Sequence, residues 1–135
     1  MPHRKFILAL VALAGCSATP PGSAGTGLFG EWGGDHIALT ISDVGAAIES
    51  DCAHGRIDVP FTIDAAGAFA LSGVWTPEHG GPVRQDEVET ALPARYSGKV
   101  EGRVLTLSIE IASPAAHLGP FTLQKGRAPN LLKCL

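Results

Sequence analysis

Leu105-Thr106-Leu107-Ser108-Ile109-Glu110-Ile111 alternates apolar and polar residues without a break. Successive side chains on an extended chain point to opposite faces, so this stretch has one dry face and one wet face. The same rhythm extends outward in both directions. Ile37-Ala38-Leu39-Thr40-Ile41-Ser42 places its apolar residues at odd positions. Ile57, Val59, Phe61 and Ile63 alternate with Asp58, Pro60 and Thr62. Phe69, Leu71, Gly73 and Trp75 share one parity, as do Ala94, Tyr96, Gly98 and Val100. Phe121 and Leu123 form a last short pair. No stretch sustains an apolar period of 3.6 residues, and Val88–Leu92 is expected to give one helical turn at most.

Turn formers separate the runs: Ser42-Asp43-Val44-Gly45, His54-Gly55, Asp64-Ala65-Ala66-Gly67 and Glu101-Gly102. Links this short join antiparallel neighbours. Strands are expected near 36–42, 46–52, 56–63, 68–76, 94–101, 103–112 and 119–125. A further short segment is expected at Gly30–Gly34 or at the C-terminus. Seven to eight short strands in meander order leave two unpaired edges unless the sheet closes. The expected fold is therefore all-β, a small antiparallel up-and-down barrel, with a two-sheet sandwich as the alternative. One connection is long: Thr76–Leu92 carries Glu78, His79, Arg84, Asp86, Glu87 and Glu89. It is either a solvated excursion or a functional loop.

The chain has 135 residues, enough for one domain, and 45% of them are hydrophobic, enough for a packed core. A net charge of −3 lacks the basic footprint of a nucleic-acid binder. No apolar run reaches the roughly 18–20 residues of a membrane-spanning helix.

At the N-terminus, His3, Arg4 and Lys5 precede the apolar run Phe6–Leu13, as in a signal peptide. Leu13-Ala14-Gly15-Cys16 follows. This resembles the lipobox of bacterial lipoproteins. The resemblance implies cleavage before Cys16 and acylation of its thiol, which anchors the chain to a membrane. An ordinary secretory signal is the alternative. Ser17 stands where an aspartate resembles an inner-membrane retention signal. The resemblance thus places the protein in the cell envelope, on the outer membrane facing the periplasm if the cell is Gram-negative. The expected organisation is a signal peptide at 1–15, lipidated Cys16 and a tether through 28, and a barrel domain at 29–135. Ser17–Thr26 is small, uncharged and rich in Pro and Gly, a flexible tether reaching at most about 35 Å.

Removing 1–15 takes away Arg4 and Lys5 and leaves eight basic against thirteen acidic residues, a charge of −5. Cys52 and Cys134 remain beside the anchor. In an exported, oxidising compartment two such thiols pair. The bond would close an 83-residue loop. Metal binding by the two thiols is the alternative, without a Cys-x-x-Cys spacing to support it.

Gly30-Glu31-Trp32 resembles the Gly-x-Trp signature of lipocalins and related small barrels. The resemblance implies that Trp32 closes one barrel end against a late basic residue, Arg127 or Arg103. The size is nearer to bacterial metalloprotease inhibitors and avidin-like barrels. Trp32-Gly33-Gly34-Asp35-His36, Asp51-Cys52-Ala53-His54-Gly55 and the late cysteine also resemble uncharacterised short bacterial lipoproteins.

His36, Asp51 and His54 are the candidate rim constellation. If the first hairpins stack, two imidazoles and a carboxylate could hold zinc or exchange protons. Alternatively each makes a hydrogen bond at a turn. His79 and His117 have no evident partners in sequence. There is no Gly-x-Ser-x-Gly nucleophile elbow, no phosphate-binding Gly-x-x-x-x-Gly-Lys and no Gly-x-Gly-x-x-Gly that opens a helix. Trp32, Trp75, Tyr96 and Phe69 either line a ligand cavity or fill the core. The functional expectation is a non-enzymatic, cofactor-free envelope protein that binds a small apolar ligand or a protein partner. Two alternatives stand beside it: a small metal-binding protein or enzyme built on the rim constellation, and a structural envelope lipoprotein.

Overall fold

The computed structural model describes Gly15 and residues 26–135. The signal peptide, Cys16 and most of the tether lie outside the described residues, Gly15 apart. A short 3-10 turn, Thr26–Leu28, leads into eight strands. These are β1 (Gly30–Gly34), β2 (Ile37–Ile41), β3 (Ala46–Ser50), β4 (Ala53–Ile57), β5 (Ala68–Pro77), β6 (Leu92–Glu101), β7 (Val104–Ile111) and β8 (Ala116–Lys125). Each pairs antiparallel with the next, and β8 returns to β1 to close a barrel. Closure leaves no sheet edge unpaired. The architecture is the up-and-down barrel, not the sandwich.

Alternation places the core. Leu105, Leu107, Ile109 and Ile111 of β7 all point inward and are buried. Ile37, Leu39 and Ile41 do the same on β2. Trp32, Tyr96, Phe61 and Trp75 are buried with them, so the aromatic residues fill the interior. The Tyr96 hydroxyl donates to the Val74 carbonyl at 2.6 Å. Burial pushes its phenol well above the ordinary tyrosine range.

The expected His54-Gly55 turn is instead part of β4, and the hairpin turns three residues earlier, at Asp51-Cys52. Gly55 is there for Tyr96: a Cβ on it would lie 2.2 Å from the Tyr96 hydroxyl oxygen. The expected strand at 56–63 is also corrected. Ile57 pairs with Ala46, the first residue of β3, so no ladder continues beyond it on that side. Pro60 has no N–H to offer a ladder in any case. Residues 58–64 leave the sheet, and Phe61 turns inward to pack tilted against Phe69, with ring centroids 4.8 Å apart. The one helical turn considered at 88–92 does not form, and Leu92 already opens β6.

The barrel therefore has two different ends. The entry end holds Thr26–Leu28, the Ser42–Gly45 turn, the 58–67 connection and the turn at Gly102. The loop end holds the turns between β1 and β2 and between β3 and β4, the long 78–91 connection and the turn before β8. After β8 the chain runs back to the loop end. The Gly126 N–H donates to the Glu31 carbonyl at 2.7 Å, and Asn130 bridges in parallel to Asp35. This tail lies directly on β1, where a Cβ on Gly33 would meet the Arg127 carbonyl oxygen at 2.1 Å. Cys134 ends the path in a disulfide with Cys52, their Cα atoms 5.2 Å apart. That separation is ordinary for such a bond.

Gly55→Ala should lower stability by about 1–3 kcal/mol, the cost of forcing a methyl group into a filled core. Urea unfolding of the variant against wild type checks it, and an unchanged midpoint would contradict the packing described here. Mass spectrometry of the non-reduced chain should show Cys52 and Cys134 bonded. Replacing both by serine should cost roughly 4–5 kcal/mol if the chain-entropy account holds.

Candidate functional site

Polar chemistry collects at the loop end. Asp51, in the turn after β3, is a junction. The His36 Nδ1–H donates to one of its carboxylate oxygens at 2.7 Å. The Leu132 N–H donates to the other at 2.8 Å, and the Cys134 N–H donates to its backbone carbonyl at 3.1 Å. The Leu132 N–H, then His36 and Lys133, hold the Asp51 carboxyl below the ordinary carboxylate range against some burial. His36 has a φ of 67°, in the left-handed region that L-residues seldom adopt. Three bonds hold it there: its N–H to the Asn130 carbonyl, its carbonyl to the Ser50 hydroxyl, and its ring to Asp51.

His54 faces a different partner. It projects from β4, and its Nδ1 lies 2.8 Å from Glu78 Oε1. Its Nε2 lies 3.5 Å from Glu89 Oε2. Lys133 Nζ joins this group at 2.9 Å from Glu78 and 3.1 Å from Glu49. Lys133 first, and His54 second, hold the Glu78 carboxyl below its ordinary range.

The expected constellation is thus divided. His36 and Asp51 do meet, and they fasten the tail. His54 belongs to the long loop through Glu78 and Glu89. Among the described residues, no group of three or more His, Cys, Asp or Glu side chains is placed to hold a metal ion. The physical reason is register: His54 stands opposite Glu49 and Thr76, along the wall, whereas Asp51 sits in the turn beyond it.

The barrel-closing pair is also corrected. Lys125, not Arg127 or Arg103, stands over Trp32, with Nζ 5.1 Å from the ring centroid. Lys125 also donates to the carbonyls of Gly27, at 2.8 Å, and Phe29. The Trp32 indole N–H donates to the Leu28 carbonyl at 2.9 Å. Arg127 pairs outside with Asp35 at 3.0 Å, and Arg103 donates to the Lys125 carbonyl. The register pairs Trp32 directly with Lys125 across the β1–β8 seam, which spacing along the chain does not reveal.

His79 and His117 have partners that sequence reasoning missed. His79 Nδ1 lies 2.9 Å from the Gly80 carbonyl, and its Nε2 bonds Glu87. His117 stands opposite Glu110 in the β7–β8 register, 3.8 Å from it. The available signal for His117 was parity: it and Glu110 both lie on the wet face of adjacent strands.

Two hollows adjoin these groups. One, of about 520 Å³, lies between the 78–91 loop and the tail, bounded by Glu78, His79, Glu87, Glu89, Val88 and Cys134 among others. The other is a shallow depression of about 730 Å³ near the turn before β8. Its exposed lining residues, Pro93, Arg95, Glu110, Ala112 and His117, face outward.

Asp51→Asn should loosen the tail without unfolding the barrel. Hydrogen exchange should speed up at Leu132 and Cys134 while the β2 and β7 amides keep their protection. In wild type the depressed Asp51 carboxyl contributes above its ordinary value. That fastening should be lost as pH falls through the depressed value, and acid-induced release confined to 130–134 is the expected sign.

No protein-family model, curated protein or solved structure matches the chain, so the site stands on its own geometry.

Proposed function

We propose that this chain is a lipid-anchored protein of the bacterial cell envelope that works by binding a partner protein at the loop end of its barrel, without catalysis. The observation that carries this reading is the opposition of the two ends. The tether would reach the barrel at the entry end, where Gly27 and Leu28 are held by Lys125 and Trp32. The long loop, the tail and the disulfide lie at the other end. Strands of ten residues, tilted as in small barrels, separate the two ends by about 25 Å. A barrel anchored at the first end presents the second away from the membrane.

The filled interior supports a surface function. Trp32, Tyr96 and Phe61 occupy the space in which a lipocalin-like barrel would hold a ligand. At the loop end, Val83 and Val88 are about three-quarters and nine-tenths exposed (74% and 87%), and Leu132 is exposed on the tail at the same end. Exposed apolar side chains rimmed by charge are the ordinary make-up of a protein-binding surface. A second reading, a small apolar ligand, is favoured by the outward depression beside Ala112 and Pro93.

Cys16→Ser should abolish acylation, and the variant should leave the detergent phase on phase separation. A variant that still partitions into detergent at the mature size would overturn the anchor. For the binding end, a photo-crosslinking residue at Val88 should give a discrete adduct in intact envelopes. The same residue at Val44, in the entry-end turn, should not. Equal adducts from both positions, or none from Val88, would overturn the reading.

A further inference from the structure

Among the described residues, the histidines are His36, His54, His79 and His117, and all four stand at the loop end. Each lies within 3.8 Å of a carboxylate: Asp51, Glu78, Glu87 and Glu110 respectively. Two of these pairs involve the 78–91 loop, and one of them has a geometry that depends on charge.

His79 has an oxygen acceptor on both ring nitrogens: the Gly80 carbonyl at Nδ1 and the Glu87 carboxylate at Nε2. A neutral imidazole carries one N–H and one lone pair. In that state one ring nitrogen would point its lone pair at an oxygen. Only the imidazolium donates at both positions and satisfies both acceptors. The bond to Glu87 folds the loop across itself over eight residues. Glu87 also accepts the Arg84 N–H at 3.3 Å, which completes the fold. Beside it, Gly80 lies against the tail, where a Cβ would sit 2.3 Å from the Leu135 carbonyl oxygen. The folded loop thus covers the 520 Å³ hollow from one side while the tail bounds it from the other.

We propose that the 78–91 loop is a proton-operated lid, held closed by the doubly donating His79 ring and released when that ring loses a proton. The titratable groups lining the hollow are Glu78, His79, Glu87 and Glu89, all of the loop. His54 of β4 and Lys133 of the tail stand behind them, paired with Glu78. Lys133 and His54 compensate Glu78, which leaves His79 as the partner of Glu87. Loss of the His79 proton would leave Glu87 without its cation and would set the Gly80 carbonyl against a lone pair.

The direction follows from the shifts. The Gly80 carbonyl first, and Glu87 second, raise the His79 pKa above its ordinary value. The closing contribution is therefore complete below the ordinary imidazole value and is lost as pH rises through the raised one. His79 first, and the Arg84 N–H second, lower the Glu87 pKa. On the acid side the contribution is lost only as pH falls through that lowered value. The closed lid occupies the window between the two, and the lid opens toward alkaline pH. This concerns the loop itself and holds whatever the loop end binds.

Arg84 places a trypsin site inside the lid. The test uses the full chain in detergent micelles, treated with trypsin from about pH 6 to about pH 8.5, a range that spans imidazole titration. Cleavage after Arg84 is located by mass spectrometry and normalised to a free peptide of the loop sequence at each pH. Cleavage then reports the population of the open loop. The normalised rate should rise about two- to fivefold across the range, the scale of a solvent-accessible ion pair. His79→Gln should remove that rise, and His54→Gln should retain it. Amide exchange in β2 and β7 should stay constant in all three proteins, which separates lid opening from unfolding. A wild-type rate that does not change, or a rise that survives in His79→Gln, would overturn the proposal. No partner is needed for this readout, so it can fail while the binding reading stands.

Discussion

Ring closure rests on three residue pairs. Trp32, Gly33 and Gly34 of β1 meet Lys125, Gln124 and Leu123 of β8, and every other strand depends on that seam for the absence of a free edge. A seam this short is the weakest in the ring, because β1 has five residues and β8 has ten. The rest of the chain braces it. Lys125 spans it from Trp32 to the carbonyls of Gly27 and Phe29. The tail then lies along β1 from Gly126 to Asn130 and bonds it at both ends of that path. Gly33 must be glycine for the tail backbone to come so close. The disulfide fixes the far end of the brace on the turn after β3.

That brace makes the two ends of the barrel unlike. At the entry end the closure is apolar: Phe61 packs against Phe69, and Leu28 sits beneath Trp32. At the loop end the brace is fastened by polar groups, Asp51 to Leu132 and Lys133 to Glu49 and Glu78. The Lys133 ion pairs are solvent-accessible, and such pairs contribute little to global stability. Their consequence is local. They set how the tail and the long loop sit, and they respond to pH where the buried core does not.

The interior explains why function is sought on the outside. An eight-stranded barrel is just wide enough for its own side chains. Here the Tyr96 ring lies along the inner wall over Gly73 of neighbouring β5 and Gly55 of β4, with its hydroxyl on the Val74 carbonyl. Trp32, Phe61 and the buried Ile and Leu side chains of β2, β3, β4, β7 and β8 share the rest. The loop, the tail and the outward depression are the parts not committed to packing, and the proposed binding is placed there for that reason.

Alternation in the sequence was enough to determine most of the strands, their faces and the antiparallel order, because a period of two is a local property of extended chain. Leu105, Leu107, Ile109 and Ile111 point inward as their spacing requires. The pairing of Cys52 with Cys134 was also legible, since two thiols remained once Cys16 was assigned elsewhere. Alternation misled at 56–63, where the apolar parity continues but no strand of β3 remains to pair with it. It also misread Gly55, whose reason is Tyr96, forty-one residues away in sequence and adjacent in space. The polar site was decided by tertiary structure alone. Whether His54 meets Asp51 or Glu78, and whether Trp32 meets Arg127 or Lys125, depends on register across closed hairpins and on where the tail returns. Register moves a side chain by a full residue spacing, about 3.3 Å, which is the difference between a hydrogen bond and none.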